Sequence, residues 1–458
     1  MSTTGSQISL VSVGSRGDIQ PYLVFGVYLK GLGYRVRVCS EERHKQLILQ
    51  SGVEFGLIYG DCVGVLYQKD MQAALETGSL FKMIGATKAW EAKFSKEEML
   101  RSYVTALSGS HLIICGGLSL TQAICVAEYM KVPVVPMILG PTIPTQDFPV
   151  WPLVSLVWSK CQNRWSYHFL FRTLWKQEKP HINHWRESEL GLAPWTSLKN
   201  GIADLTANLN VIIACSRIIL PNKQKPSDYP DNIHLKGFVF QGDNQGEQGE
   251  DSLVAAFISQ AKSEQKKLVY LGFGSMPCTD PGRLVRIANE LCTSLGCRAV
   301  LLANWPSLTA SASASVAQQP QTLSVPSSDV LMIPSASHGW LFPQMDCVVH
   351  HCGVGTLASG LRAGVPCVPC PYGMDQPHNA KLLISLGVAP VSVPYNKNMT
   401  TSALAAAVGR VLTLPTFRQR ASEWQKVLME EESNCLQEYA TVVASELART
   451  GSAISELH

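Results

Sequence analysis

Charge is scarce in this 458-residue chain: 16% of residues are Asp, Glu, Lys or Arg, and 38 basic against 35 acidic side chains leave a net of +3. So small an excess gives no electrostatic case for a nucleic-acid partner. Scarce charge beside 46% hydrophobic residues also excludes global disorder. No apolar run reaches the ~18 residues of a membrane span. The opening MSTTGSQISLVSVGSRGD has no basic stretch leading into a long apolar one, so it does not read as a signal peptide. The expectation is a soluble, cytoplasmic chain. Cys367 and Cys370 form a C-x-x-C with no second pair to complete a zinc site, and the fourteen cysteines lie scattered, many in apolar runs, as buried thiols do. There is no Asp-x-Asp to hold a divalent cation beside phosphates, so no metal is expected. The first strand is not followed by Gly-x-Gly-x-x-Gly, which argues against a dinucleotide-dependent oxidoreductase, although Glu41 and Glu42 follow the second strand.

What is present is β and α in alternation, twice. An apolar run, Gln7 to Val13, enters the turn GSRGD; helical periodicity follows from Gln20 to Leu32, Gly33 ends it, and a short strand runs from Tyr34 to Ser40. His111–Gly117 and Val132–Leu139 read as further strands with a helix between them. The second half repeats the plan: KKLVYLGFGS opens into a glycine turn, and RAVLLAN, DVLMIP, DCVVHH and GVPCVPCPY follow with helices among them. This predicts an α/β chain of two Rossmann-like domains facing across a cleft. The expected divisions are residues 1–221, a polar linker at 222–251, a second domain at 252–415 and a last amphipathic helix at 416–458 returning to the first domain.

The densest constellation runs from Ser337 to Asn379. A strand ends at His350-His351, and the turn Cys352-Gly353-Val354-Gly355-Thr356 feeds a helix. Small residues there let backbone N–H groups at a helix start approach an anion, and the helix dipole adds to the attraction. A His and a Thr hydroxyl in the same turn can donate further bonds, a way to hold a diphosphate without metal.

This segment resembles the donor-binding signature of nucleotide-sugar glycosyltransferases of the GT-B fold, on the sterol and lipid glucosyltransferase branch. The same branch carries motifs similar to GSRGDIQPY, here Gly14 to Tyr22, and to VYLGFGSM, here Val269 to Met276. The three occur in the right order and spacing, so the resemblance spans nearly the whole chain. It implies that His351, Gly353, Gly355 and Thr356 meet the donor diphosphate, with Ser275 reaching it from a facing loop. It implies that Asp375 and Gln376 hold sugar hydroxyls, and that His338 and Trp340 lie near the nucleoside. The chain departs from the branch at Cys352, where a Gly is common, and at Val354, where a smaller residue stands. Ser359 occupies the place where plant relatives carry a ribose-binding Glu, which weakens the case for uridine over thymidine.

Sugar transfer with inversion needs a base to take the acceptor's proton, and a positioned one contributes typically about 10²–10⁴-fold. Asp18, in a first βα turn at the carboxyl end of a strand, is expected to be that base. Many relatives instead have a His there, supported by a carboxylate about a hundred residues on. That place is near Cys115 here and holds none, which suits a carboxylate base that needs no partner to fix a tautomer. The plainer reading is that Asp18 caps a helix beginning near Ile19. Ser15 and Arg16 would reach the diphosphate or merely stabilise the turn.

Phe148 to Trp175 holds eight aromatic residues, suited to a flat, apolar acceptor or to ordinary packing of helices. Thr142, Phe148 and Trp151 are the expected acceptor contacts, since GPTIPTQDFP resembles a pocket-lining loop of the sterol branch. Lys and Arg interleave with the rings, which leaves contact with a membrane surface open. The expected partners are UDP-glucose, as co-substrate and not cofactor, and a small hydrophobic hydroxylated acceptor. A non-catalytic nucleotide-sugar or lipid carrier of the same fold would be expected to lose Asp18 or the Asp375-Gln376 pair, and a sugar epimerase would want several acid/base residues.

Overall fold

The computed structural model describes residues 5–77, 80–150, 159–240, 252–274, 276, 280–303, 329–395 and 399–455. Two compact units divide the chain. One comprises Met1–Val65, Thr87–Phe240 and Glu430–His458; the other comprises Leu66–Ala86 and Gln241–Met429.

The first unit is built on seven parallel strands: β1 (Gln7–Val11), β2 (Arg35–Ser40), β3 (Glu54–Leu57), β4 (Leu112–Cys115), β5 (Val134–Ile138), β6 (Val211–Ile213) and β7 (Ile233–Leu235), in the order β3-β2-β1-β4-β5-β6-β7. The β1, β4 and β5 strands are buried along their whole length, which is why they read as continuous apolar runs and not as alternation. The β7 strand lies within the stretch expected to be linker, so the first unit extends to residue 240. A three-residue strand with only one fully buried position leaves no periodic signal.

The second unit carries β8 (Leu268–Gly272), β9 (Arg298–Leu302), β10 (Val330–Ile333), β11 (Cys347–His350) and β12 (Cys367–Pro369), in the parallel order β10-β9-β8-β11-β12. The Pro281–Leu295 helix starts as its sequence suggests: the Asp280 side chain accepts from the Arg283 N–H, and Pro281 fills the first turn, where its missing N–H costs nothing. Gly296, at φ +61°, ends it. Leu284, Ile287, Ala288 and Leu291 of that helix pack on Val269, Leu271, Ala299 and Leu301 of the sheet.

Both sheets reverse their strand order once, between β1 and β4 and between β8 and β11. At such a point the loops leaving neighbouring strands diverge to opposite faces and open a crevice at the carboxyl edge. Val11 pairs with Cys115, and Gly272 with His350, so each motif-bearing turn leaves its sheet beside the crevice.

The last helix, Pro415–Ser455, contributes to both units. Arg418 donates to the Gly364 and Met345 carbonyls of the second. Cys435, Tyr439, Val443 and Leu447 join Phe25, Leu29, Ile212 and Val239 in the core of the first.

Candidate active site

The Arg16–Gly31 helix begins earlier than the Gln20 expected from periodicity. Ser15 is its N-cap and Asp18 its third residue. The Ser15 N–H and hydroxyl both donate to Asp18 Oδ2, at 2.7 and 2.8 Å, which closes a capping box. Asp18 therefore does stabilise the helix start, from inside the first turn. Its Oδ1 takes no hydrogen bond from any described residue. The side chain is half-buried, and burial raises its pKa above the ordinary carboxyl value, against the Ser15 bonds and the His44 charge that pull it down.

The turn before it is held from below. Gly14 adopts φ +134°, and a Cβ there would fall 2.5 Å from Asp18 Oδ2, so only glycine fits. Its N–H points at Glu41 Oε2 at 3.4 Å, and its carbonyl lies 2.9 Å from His44 Nε2. Glu41, 2% exposed, also accepts from the Cys62 N–H. Glu41 and His44 are thus a buried brace for the Asp18 turn that sequence reasoning missed. Their position just past β2 was the only available signal. Arg16 is exposed and its Nε donates to Gln20 Oε1; Ser15 is committed to Asp18.

The second turn is built on histidine and glycine. His350 and His351 are buried at the end of β11. His350 Nδ1 accepts the Cys352 N–H at 3.1 Å. Burial, helped by the neighbouring His351 and His338, pushes the His350 pKa down to about 3; burial pushes that of His351 down to about 4. Both imidazoles are therefore neutral at physiological pH. The His351 ring lies between two backbones: a Cβ on Gly274 would come within 2.6 Å of its Cε1, and one on Gly353 within 2.5 Å of its Nε2. Its Nδ1 is buried without a hydrogen-bond partner among the described residues, a state that a bound polar group would relieve.

Gly353 caps the Val354–Arg362 helix, whose first intrahelical bond runs from the Leu357 N–H to the Gly353 carbonyl. The N–H groups of Val354, Gly355 and Thr356 precede that bond, and the space over Gly355 is open. Cys352 stands at φ +68°, in the left-handed region that favours glycine. This is the physical reason a Gly is common at that place.

Asn379, another residue that sequence reasoning passed over, ties this turn to the next: its Nδ2 donates to the Cys352 carbonyl and to Asp375 Oδ2, each at 2.9 Å. Asp375 is half-buried and precedes the Gln376–Ser385 helix. Gln376, expected to hold sugar hydroxyls, has partners in its own turn. It is 3% exposed; its Oε1 accepts the Tyr372 and Gly373 N–H groups, and its Nε2 reaches Met276 Sδ at 3.2 Å. His338 stacks on Phe342 with ring centroids 4.3 Å apart and meets the Tyr270 hydroxyl at 3.4 Å. Trp340 is half-buried and outside the core cluster of its sheet.

Of the acceptor candidates, Thr142 is half-buried in the loop following β5, at the same sheet edge as Asp18. Phe148 is buried in a satellite cluster with Val150, Tyr167, Phe171 and Leu220. Ser275 and Trp151 lie outside the described residues. Leu118, just past β4 and 68% exposed, is an apolar group at this edge that no motif marked.

Each unit thus has its own switch-point crevice, one with a carboxylate at its mouth and the other with a glycine-rich helix start. Residues 8–146 match the Glycosyltransferase family 28 N-terminal domain, and residues 312–440 match the Erythromycin biosynthesis protein CIII-like, C-terminal domain. The chain has the two-domain GT-B fold and resembles glycosyltransferases of the sterol glucosyltransferase branch. It is 29% identical over 415 residues to a sterol 3-beta-glucosyltransferase of Yarrowia lipolytica, which covers 88% of this chain and 27% of that protein. It is 29% identical over 386 residues to the Neurospora crassa sterol 3-beta-glucosyltransferase, covering 83% and 24%. The chain thus spans about a quarter of the length of these curated relatives. Among solved structures, the glycotransferase of kitacinnamycin superposes with a TM-score of 0.66 at 18% identity, covering 97% of this chain and 99% of that one. Glycosyltransferase VinC in complex with DTDP superposes with a TM-score of 0.58 at 16% identity, covering 97% and 100%. Both share the GT-B fold.

Proposed function

We propose that this GT-B chain is an inverting glycosyltransferase that moves glucose from UDP-glucose to a hydroxyl of a sterol-like apolar acceptor, with Asp18 as general base. The observation that carries the reading is the half-anchored carboxylate: Oδ2 is fixed by Ser15, while Oδ1 is left for a proton. In the reaction the acceptor oxygen attacks the anomeric carbon, and the carbon–oxygen bond to the diphosphate breaks with its electron pair leaving on UDP. The acceptor proton passes to Asp18. A single displacement of this kind turns an α-linked donor into a β-glycoside. The raised pKa of Asp18 suits it to hold that proton.

The charge that gathers on the departing diphosphate would be met by the Val354–Thr356 N–H groups, the Thr356 hydroxyl and His351. Such preorganised donors can be worth several kcal/mol where water is excluded. Asp375 would bind sugar hydroxyls, with Asn379 fixing its carboxylate. With no Asp-x-Asp pair in the sequence, we propose that no divalent metal takes part. The sterol preference is supported by the named activity of the fungal relatives.

The test is UDP release from UDP-glucose against a panel of sterols and phenols, with wild type and Asp18→Asn. The asparagine keeps an oxygen for the Ser15 cap, so the variant is expected to melt close to wild type while transfer falls by about 10²–10⁴-fold. A wild-type-like kcat in the folded variant would remove Asp18 from the chemistry. Activity is expected to survive excess EDTA, and the product to be β-linked by NMR. Loss restored by magnesium would overturn the metal-free reading, and an α-linked product would overturn the single displacement.

A further inference from the structure

The aromatic run that follows the acceptor loop divides on the long Lys160–Ser188 helix. Tyr167, Phe171 and Trp175, four residues apart, turn inward and are buried. Trp165 and Phe169, also four apart, turn outward: they are 55% and 56% exposed, and their rings stack with centroids 5.0 Å apart and planes 23° from parallel. The outward stripe continues at the next helical spacings with Arg172 and Lys176, both exposed and neither ion-paired with a described residue. Between residues 160 and 180 the helix carries five Lys or Arg and one acid, Glu178. Arg164 is tied to Asp228, and Lys179 donates to the Thr196 carbonyl, so Arg172 and Lys176 are the cations this face presents.

Two large apolar rings left more than half exposed to water gain little there. Beside cations they fit one environment well. Aromatic rings settle at the headgroup level of a bilayer, and Lys and Arg at the same depth meet its acidic lipids. We propose that the Trp165–Phe169 face, with Arg172 and Lys176, docks this chain on the surface of an anionic membrane. The inference deepens the proposed function, because an apolar acceptor resides in such a bilayer, but its test measures no transfer and so fails separately from that reading.

The experiment is flotation of the purified chain with vesicles of phosphatidylcholine alone and of phosphatidylcholine with phosphatidylserine in equal parts. Wild type is expected to float with the acidic vesicles and far less with the neutral ones. Trp165→Ala with Phe169→Ala is expected to lower the partition by at least about tenfold, since an apolar side chain of this size gains roughly 1.5–3 kcal/mol on leaving water. Arg172→Gln and Lys176→Gln are each expected to lower it by about fivefold, from the ~1 kcal/mol a basic residue contributes at an acidic surface. All four sites are exposed, and circular dichroism checks that the variants fold. Failure to float, or flotation that ignores all four substitutions, would overturn the proposal. So would light scattering that shows the Trp165–Phe169 face joining two copies of the chain in place of binding vesicles.

Discussion

At the scale of single residues, the proposed donor turn is built around a neutral histidine held between glycines. His351→Ala is expected to weaken UDP binding by about 1.5–3 kcal/mol, the range for a hydrogen bond to a charged group; titration calorimetry reads this directly, and unchanged affinity would move the diphosphate elsewhere. Gly274→Ala would place a methyl 2.6 Å from the His351 ring on a backbone at φ +59°. It is expected to destabilise the second unit by roughly 1–3 kcal/mol and to weaken UDP binding together with it. A variant that keeps both melting temperature and affinity would mean that the two backbones do not clamp the ring. Local sequence patterns single out His351, Gly353 and Asp18 as candidates because such residues sit in short motifs. They did not find Glu41, His44 or Asn379, whose work depends on neighbours far along the chain. Gln376 shows the opposite limit: it stands at the motif position, but the amide is occupied by its own turn.

Among elements, the strand–turn–helix units were legible because buried parallel strands are short apolar runs closed by glycine. Two features were not. The Arg16–Gly31 helix contains Pro21, which obscured its true start, and the capping box at Ser15 and Asp18 sets it instead. The segment Leu66–Ala86 groups with the second unit, a long-range assignment that no local pattern encodes. The last helix can be tested through one hydroxyl. Tyr439 is fully buried; its Oη donates to the carbonyl of Gly237 or Ile213 and accepts the Lys236 N–H. Tyr439→Phe strands these backbone groups and is expected to cost about 1–3 kcal/mol by urea denaturation. A loss below ~0.5 kcal/mol would indicate that water replaces the hydroxyl.

For the whole molecule, the proposed donor-site residues from His338 to Gln376 belong to the second unit, so ligand and pH should address the units separately. UDP at about a hundred times its Kd is expected to stabilise the second unit by ~2.7 kcal/mol. In calorimetry its transition should move upward while that of the first unit stays; a uniform shift would mean the two melt as one. His350 and His351 have folded pKa values of about 3 and about 4, below the ordinary 6.5. As the pH falls, the unfolded chain takes up these protons first. Their contribution is therefore complete above pH 6.5 and is lost progressively toward pH 4 for His351 and pH 3 for His350. Melts across that window are expected to show the second unit declining, and a flat profile would indicate solvated imidazoles.

Because Cys435, Tyr439, Val443 and Leu447 complete the core of the first sheet, that sheet cannot close its apolar face when its own strands have been made. During synthesis about 190 residues separate Phe240 from Glu430, which at ~5–20 residues per second is roughly ten to forty seconds on the ribosome. Through that interval Phe25, Leu29 and Ile212 wait uncovered. A nascent chain stalled before Glu430 therefore leaves an apolar, adhesive surface however well its seven strands have paired.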